Sequence, residues 1–281
     1  MKTWKKIVLG VSLISLFLGG GLVAWGYSQG GLTDLQNQTK SEQDYVKKEV
    51  KDFNKIDIKS SSYNVLIKNG EVDKATLSYY QKTKNPIDTS VKDGQLTIND
   101  NNSELDSTSN KHINFFGLKD LVRLSTLNEE VRNKTIVITL PKKQTIDFLK
   151  VDLATGNLDL SNSTIKQADI NLNVGDLTFT KMIVSNLKAN LDVGSVDSDH
   201  TLFTNSDLSI AMGDYSGDNL IFNGHNKLDV TSGDIEIVLK DYTLNVQADS
   251  HSGEVDITNN LKISKDNTLT ITSDLGDITV E

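Results

Sequence analysis

Seven copies of one glycine-centred phrase fill residues 151–281, and few folds are open to a chain built this way. The glycines are Gly156, Gly175, Gly194, Gly213, Gly233, Gly253 and Gly276, spaced by 19, 19, 19, 20, 20 and 23 residues. At the positions five and three before each glycine and two and four after it, 24 of 28 residues are apolar, counting alanine and tyrosine. The exceptions are Ser198, Gly217, Ser250 and Ser273. The positions four before and three after are polar in every copy, from Asp152 and Asp159 to Thr272 and Thr279. Alternation with period 2 marks half-buried strands, so each phrase reads as two strands flanking a glycine turn.

One such coil cannot bury its own apolar side, whereas stacked coils bury a continuous one, and a fixed period near twenty residues is a solenoid signature. The expected fold is all-β: a parallel β-solenoid (β-helix) of about seven 19–23-residue coils over residues 149–281. Coils stack at ~4.8 Å. The glycines are assigned as structural turn residues that supply a positive φ at each corner.

The N-terminus has a different character. Lys2, Lys5 and Lys6 precede residues 7–27, a run without a charge that is flanked by Trp4, Trp25 and Tyr27. This length spans ~30 Å of hydrocarbon as a helix, with interfacial aromatics at its ends. The basic residues 1–6 place the N-terminus in the cytoplasm and the rest of the chain outside, as a single-pass cell-membrane protein. The alternative is a cleaved signal peptide, but the apolar run is longer than a typical signal core. Residues 28–50 read as a polar spacer. With no cysteine there is no disulfide framework and no site for lipid attachment through a thiol. Formal charge is -9; without Lys2, Lys5 and Lys6 the remainder carries 26 basic and 38 acidic groups, or -12. Such a surface repels nucleic-acid phosphates, and no basic run offsets it.

Residues 51–148 are expected to form an antiparallel β cap over the first coil, since an open solenoid end is an unpaired edge. Asn69-Gly70 and Asp93-Gly94 are hairpin signals there. Ile56, Ile58, Val65 and Ile67, around Tyr63, resemble a degraded copy of the phrase, so the solenoid can begin earlier. Within residues 99–133, a polar loop leads to Phe115, Phe116 and Leu118, which open a short amphipathic helix. That helix either packs over the sheet or offers an apolar contact for a membrane or a partner.

Candidate chemistry is sparse. Asn157, Asp176, Ser195, Asp214, Asp234, Glu254 and Asp277 follow the glycines. Calcium-binding β-helices place aspartates at coil corners, but their period is half as long, and turn formation explains these residues without an ion. His112, His200, His225 and His251 fall at different phases of the repeat, so stacking does not gather them. Many β-helices cleave acidic polysaccharides with clustered carboxylates, and Asp192 with Asp197, or Asp214 with Asp218, are the pairs that could act so. Residues 149–281 hold few lysines and no arginine to bind a polyanion. No nucleophile, base, cofactor or metal constellation is recognisable, and the chain reads as a non-enzyme.

The charged start and apolar span, the run Ile136-Val137-Ile138-Thr139-Leu140-Pro141, and phrases such as Leu228-Asp229-Val230-Thr231-Ser232-Gly233-Asp234-Ile235-Glu236-Ile237 resemble the bacterial putative-adhesin family of β-strand-repeat proteins, a domain of unknown function with LiaG-like members in envelope stress systems. The resemblance covers residues 49–281. It implies a membrane-anchored, extracytoplasmic β-solenoid that acts as an interaction scaffold, either as an adhesin or as an envelope-stress accessory protein. The implied partners are another envelope protein or wall polymer. The alternative is a wall-polysaccharide enzyme.

Overall fold

The computed structural model describes residues 43–82, 86–100 and 134–281. The expected membrane span 7–27, most of the spacer, His112, and Phe115, Phe116 and Leu118 lie outside these residues. Among the described residues no helix is long and apolar enough to cross a membrane. Contacts divide the chain into Met1–Asp44 and Tyr45–Glu281. The second unit is all-β and holds the repeats.

The first seven strands are β1 (Gln43–Glu49), β2 (Lys55–Ser60), β3 (Asn64–Gly70), β4 (Thr76–Lys82), β5 (Asp88–Lys92), β6 (Gln95–Asn99) and β7 (Thr135–Pro141). Then come β8 (Thr145–Ile146), β9 (Phe148–Leu153), β10 (Leu158–Ser161) and β11 (Thr164–Ile165). From β9 onward a coil has three sides. A long strand leads through a first, glycine corner to a four-residue strand; a second corner leads to a two- or three-residue strand, and a third corner to the next coil. The pattern repeats in β12 (Ala168–Val174), β13 (Leu177–Thr180) and β14 (Ile183–Ser185), then in β15 (Leu187–Val193), β16 (Val196–Asp199) and β17 (Leu202–Thr204). β18 (Asp207–Met212) and β19 (Tyr215–Asn223) follow, the latter running through its second corner. The later coils are β20 (His225–Ser232) with β21 (Ile235–Leu239), β22 (Asn245–Ser252) with β23 (Val255–Ile257), and β24 (Thr268–Leu275) with β25 (Ile278–Val280).

Coils pair in parallel and in register, 19 residues apart: Leu158 with Leu177, Leu177 with Val196, Ile170 with Ala189. Side chains that point inward are buried from Ile56 and Val65 to Ile271 and Ile278, but only half-buried or exposed in β22 and β23. Two of the four apolar exceptions make room for aromatics. Phe179 packs edge-on to Phe203 at 5.3 Å, and Phe203 stacks on Phe222 at 5.8 Å. Ser198 and Gly217 occupy the rungs beside this cluster, where a Cβ on Gly217 would meet Leu220 Cδ1 at 2.4 Å and Tyr215 Cε1 at 3.1 Å.

The stacking order departs from chain order at both ends. β24 and β25 lie between β20–β21 and β22–β23, so the last coil of the sequence is an inner coil. Correspondingly β24 is buried on alternate residues, while β22 is exposed or half-buried along its length. At the other end β2–β3 sits between β6–β7 and β9–β10.

The antiparallel cap expected over residues 51–148 is therefore corrected. β2, β3, β6 and β7 pair in parallel as two further coils, while β4 pairs antiparallel with β7 and β5 with β6. Asp93-Gly94 makes the expected hairpin between β5 and β6, with φ of 50° and 73°. Asn69-Gly70 does not, because β3 continues through it: Asn69 pairs with Leu140 and Gly70 with Pro141, and the Asn69 amide donates to the Lys142 and Gln144 carbonyls. The spacer also ends earlier than expected, since residues 43–49 form an edge strand whose Tyr45 ring lies 4.8 Å from that of Tyr80.

The first corner is the tightest point; its glycines have φ of 140–148° except Gly253 on the outermost coil, which does not adopt the positive φ expected of it. A Cβ on Gly194 would sit 2.0 Å from the Gly175 carbonyl oxygen, and the φ of Gly194 is 148°. Replacing Gly194 by alanine combines left-region backbone strain with a backbone clash that no rotamer relieves, so a loss of at least ~3 kcal/mol is expected in denaturant unfolding. An exposed-site control, Ala211→Ser, should unfold within ~0.5 kcal/mol of the parent.

Candidate functional site

The polar residue after each corner glycine takes part in a column of hydrogen bonds that runs the length of the stack. The side-chain oxygen of each accepts the backbone N–H of its counterpart on the next coil: Asn64 from Asn157 at 2.9 Å, Asn157 from Asp176 at 3.0 Å, Asp176 from Ser195 at 3.0 Å, and Ser195 from Asp214 at 3.4 Å. It continues from Asp214 to Asp234 at 2.9 Å, Asp234 to Asp277 at 2.9 Å, and Asp277 to Glu254 at 2.8 Å. These carboxylates were the candidate calcium ligands. Asp176, Asp214, Asp234 and Asp277 each commit Oδ1 to an amide of the neighbouring coil, Glu254 ends the column as a donor only, and among the described residues none of them belongs to a converging metal-like group.

The one group of that kind among the described residues is Asp199, His200 and Asp218, whose ligand atoms lie within 4.8 Å of one another. His200 Nδ1 is 2.6 Å from Asp199 Oδ1, and the Asn219 amide donates to Asp218 Oδ2 at 2.7 Å. The group lies at the second corner, where Asn162, Lys181, His200 and Asn219 all adopt positive φ at intervals of 19 residues. Asn186, Asn205 and Gly224 do the same at the third corner. Asparagine tolerates this region best among residues with a side chain. These two columns were not recognised from the sequence, although asparagines at the glycine period signal them. His225 stands past the third corner with Nδ1 3.0 Å from Thr268 Oγ1, and His251 at the first corner of the outermost coil; the described histidines are thus on three different corners.

The two broad sheets carry ordered outer faces. On the first, one row reads Asp57, Lys150, Asp169, Lys188, Asp207, Lys227, alternating in sign at every coil. On the second, carboxylates alternate with hydroxyls: Asp159, Thr178, Asp197, Ser216, Glu236, Thr279 and Asp256. Both patterns avoid like charges on adjacent rungs, which is destabilising. Successive carboxylates on the second face are thereby ~9.6 Å apart, two rungs of ~4.8 Å. Asp214 and Asp218, a candidate catalytic pair, lie four residues apart along an extended strand, or ~13 Å. That exceeds the separation of up to ~9.5 Å used by glycosidase carboxylates. Asp192 and Asp197 lie on different sheets, either side of the Gly194 corner.

Shallow hollows interrupt the surface of the described residues. One, of about 170 Å³, lies over the narrow third sheet between Lys181, Ile183, Leu202, Ile221 and Lys240. Another, of about 400 Å³, lies near the third corner between Asp207, His225, Lys227 and Thr270. The second also includes Thr268, whose hydroxyl lies 3.0 Å from His225 Nδ1.

A model of the Toastrack DUF4097 family matches residues 53–281. The chain belongs to this family. The match begins at Phe53, just before β2, so the Toastrack domain includes both parallel coils that precede the first glycine. No curated protein matches the chain. Solved structures similar to this Toastrack chain include a "putative cell adhesion protein" from Clostridium sporogenes, 16% identical, covering 85% of this chain and 99% of that one, with a TM-score of 0.39. A "putative adhesin" from Bacteroides fragilis is 16% identical over 86% and 98%, with a TM-score of 0.39. A "putative lipid binding protein" from Parabacteroides distasonis is 13% identical over 86% and 98%, with a TM-score of 0.45.

Electrostatics supply a test of the second face. Burial pushes the Asp159 carboxyl above its ordinary value; a Thr178 hydrogen bond opposes this, and Asp176 adds to it. A carboxyl whose pKa is raised by folding destabilises the fold when ionised. The cost is full above its folded pKa and vanishes below the ordinary value of ~3.8. Asp159→Asn should therefore be at least as stable as the parent at pH 7, and its relative advantage should disappear on acidification through that window, as read by thermal unfolding at each pH.

Proposed function

We propose that this Toastrack chain is a membrane-tethered, extracytoplasmic scaffold of the bacterial cell envelope that works by contact and not by catalysis. The observation that carries this reading is the use of the repeated polar side chains. The corner carboxylates are bound into the Asx column, and the outer rows are spread at rung spacing across two flat sheets, so the surface is regular and not focused on one reactive point. Extended flat faces of stacked repeats suit recognition of a partner over many small contacts. The sequence supports the tether: Lys2, Lys5 and Lys6 precede an uncharged run of membrane-spanning length, and fifteen residues separate Tyr27 from the first strand at Gln43. So short a connection favours a partner close to the membrane, such as an envelope protein or wall polymer, over a distant host surface. An accessory role in envelope stress follows more directly than adhesion.

The chain lacks cysteine, which makes a topology test simple. Ile263 is 85% exposed, so Ile263→Cys in the full chain is expected to react with a membrane-impermeant maleimide on intact cells and to fractionate with membranes. Labelling only after lysis, or recovery in the soluble fraction, contradicts the proposal. Turnover of wall glycan by the purified full chain, abolished by Asp218→Asn, would replace it with the polysaccharide-enzyme reading.

A further inference from the structure

The two ends of the stack are built differently. At the end near β1 the stack finishes in antiparallel strands: β4 pairs with β7, β5 with β6, and β1 lies beside β4. At the other end the outermost coil is β22–β23, and among the described residues each of these strands has a neighbour on one side only, β24 and β25. The Asn245 N–H donates to the Asn267 carbonyl, so Asn245 faces the stack. Backbone groups alternate in direction along a strand, which turns the N–H and C=O of Val246 and Ala248 to the open side. Native proteins blunt an open edge with lysine, proline or a covering segment. β22 is eight residues long and has neither lysine nor proline. Its inward residues Val246 and Ala248 are only half-buried, and Val255 on β23 is 41% exposed.

From this edge we infer that β22 is a docking site for an extended, basic segment of a partner protein, which joins the sheet as one more strand. Backbone pairing supplies the contact, and alternate apolar side chains of the segment continue the inward row over Val246 and Ala248. Charge selects the partner. Residues 245–257 carry Asp249, Glu254 and Asp256 and no lysine or arginine, and across 240–267 acids outnumber lysines by five to three. All three of these acids are exposed. Glu254 ends the corner column, and among the described residues no further coil brings an amide to its carboxylate. A second copy of the chain does not match this edge. End to end, the same three acids would face one another, and β1 and β5, the edge strands of the opposite end, carry three lysines against three acids. A basic strand from another protein does match, and complementary charge also speeds encounter and fixes orientation. This names the partner class for the contact role proposed above and rests on that role.

A short peptide of alternating valine and lysine, added to the purified full chain in non-ionic detergent micelles, is the probe. Its binding is expected to slow hydrogen exchange at the Val246 and Ala248 amides. Affinity should fall about tenfold when Asp249→Asn, Glu254→Gln and Asp256→Asn are combined, with the far-ultraviolet circular dichroism unchanged. The same peptide with glutamate in place of lysine, or N-methylated at alternate residues so that it lacks strand donors, should not bind. Three results would overturn the inference: no slowing at Val246 and Ala248 with the lysine peptide, equal binding of the glutamate or N-methylated peptide, or an affinity indifferent to the three neutral substitutions in folded chains. None of these outcomes alters surface labelling of the Ile263→Cys chain on intact cells, so failure of the edge and failure of the envelope reading are told apart.

Discussion

The structure depends on how closely one backbone approaches the next at the first corner. Each corner glycine from Gly175 onward lies so close to the carbonyl of the glycine on the adjacent coil that a β-carbon on Gly194, Gly213, Gly253 or Gly276 would sit 2.0 Å from its oxygen. That contact sets the coil spacing for the whole stack and aligns the inward rows that form the core. It also places the following residue where its side chain reaches the next amide. Variation in coil length is accordingly displaced to the other side of the coil. The interval from Gly213 to Gly233 adds its residue at the third corner, where the offset of 19 between Thr204 and Asn223 becomes 20 between Asp207 and Lys227, and the 23-residue interval adds its residues between β23 and β24. The replacements lie at one end of the stack: Lys134 takes the place in the β6–β7 coil and Tyr63 in the β2–β3 coil. Tyr63 stands where a glycine would, next to Gly156 and near the end of the stack, and its buried phenol is pushed up to about 12, chiefly by desolvation and then by the nearby Asp100 and Tyr79.

The period and the inward pattern were legible because they are local: alternation and a fixed interval appear within one coil. The stacking order was not, because every coil presents the same edges and the same apolar rows to either neighbour. What distinguishes the observed order lies between coils. In chain order the second-face row runs Glu236, Asp256, Thr279, with two acids adjacent; in space it runs Glu236, Thr279, Asp256, and the alternation is restored. The same limit explains the cap. Ile56, Ile58, Val65 and Ile67 carried the period and did become a coil, whereas Asn69-Gly70 looked like a hairpin because its partners Leu140 and Pro141 are about seventy residues away.

The candidate site was partly legible for a related reason. Aspartates at coil corners are what a calcium site needs and also what a turn needs, and the sequence does not distinguish them. The direction of the Oδ1 atoms does: they point along the stack to amides. Chemistry based on rows, with small contacts repeated at one spacing, suits binding of an extended partner. Such a surface arises without any exceptional residue, which is why no motif announced it.

Hydrogen exchange tests the stacked order most directly. If β24 is an inner coil, the amides of Leu269 and Ile271, paired on both sides, should exchange only with global unfolding, and more slowly than those of Val246 and Ala248 in β22, although β24 is nearer the C-terminus. Fast exchange in β24 with stronger protection in β22 would mean that coils stack in chain order and that the structure described for this end is wrong.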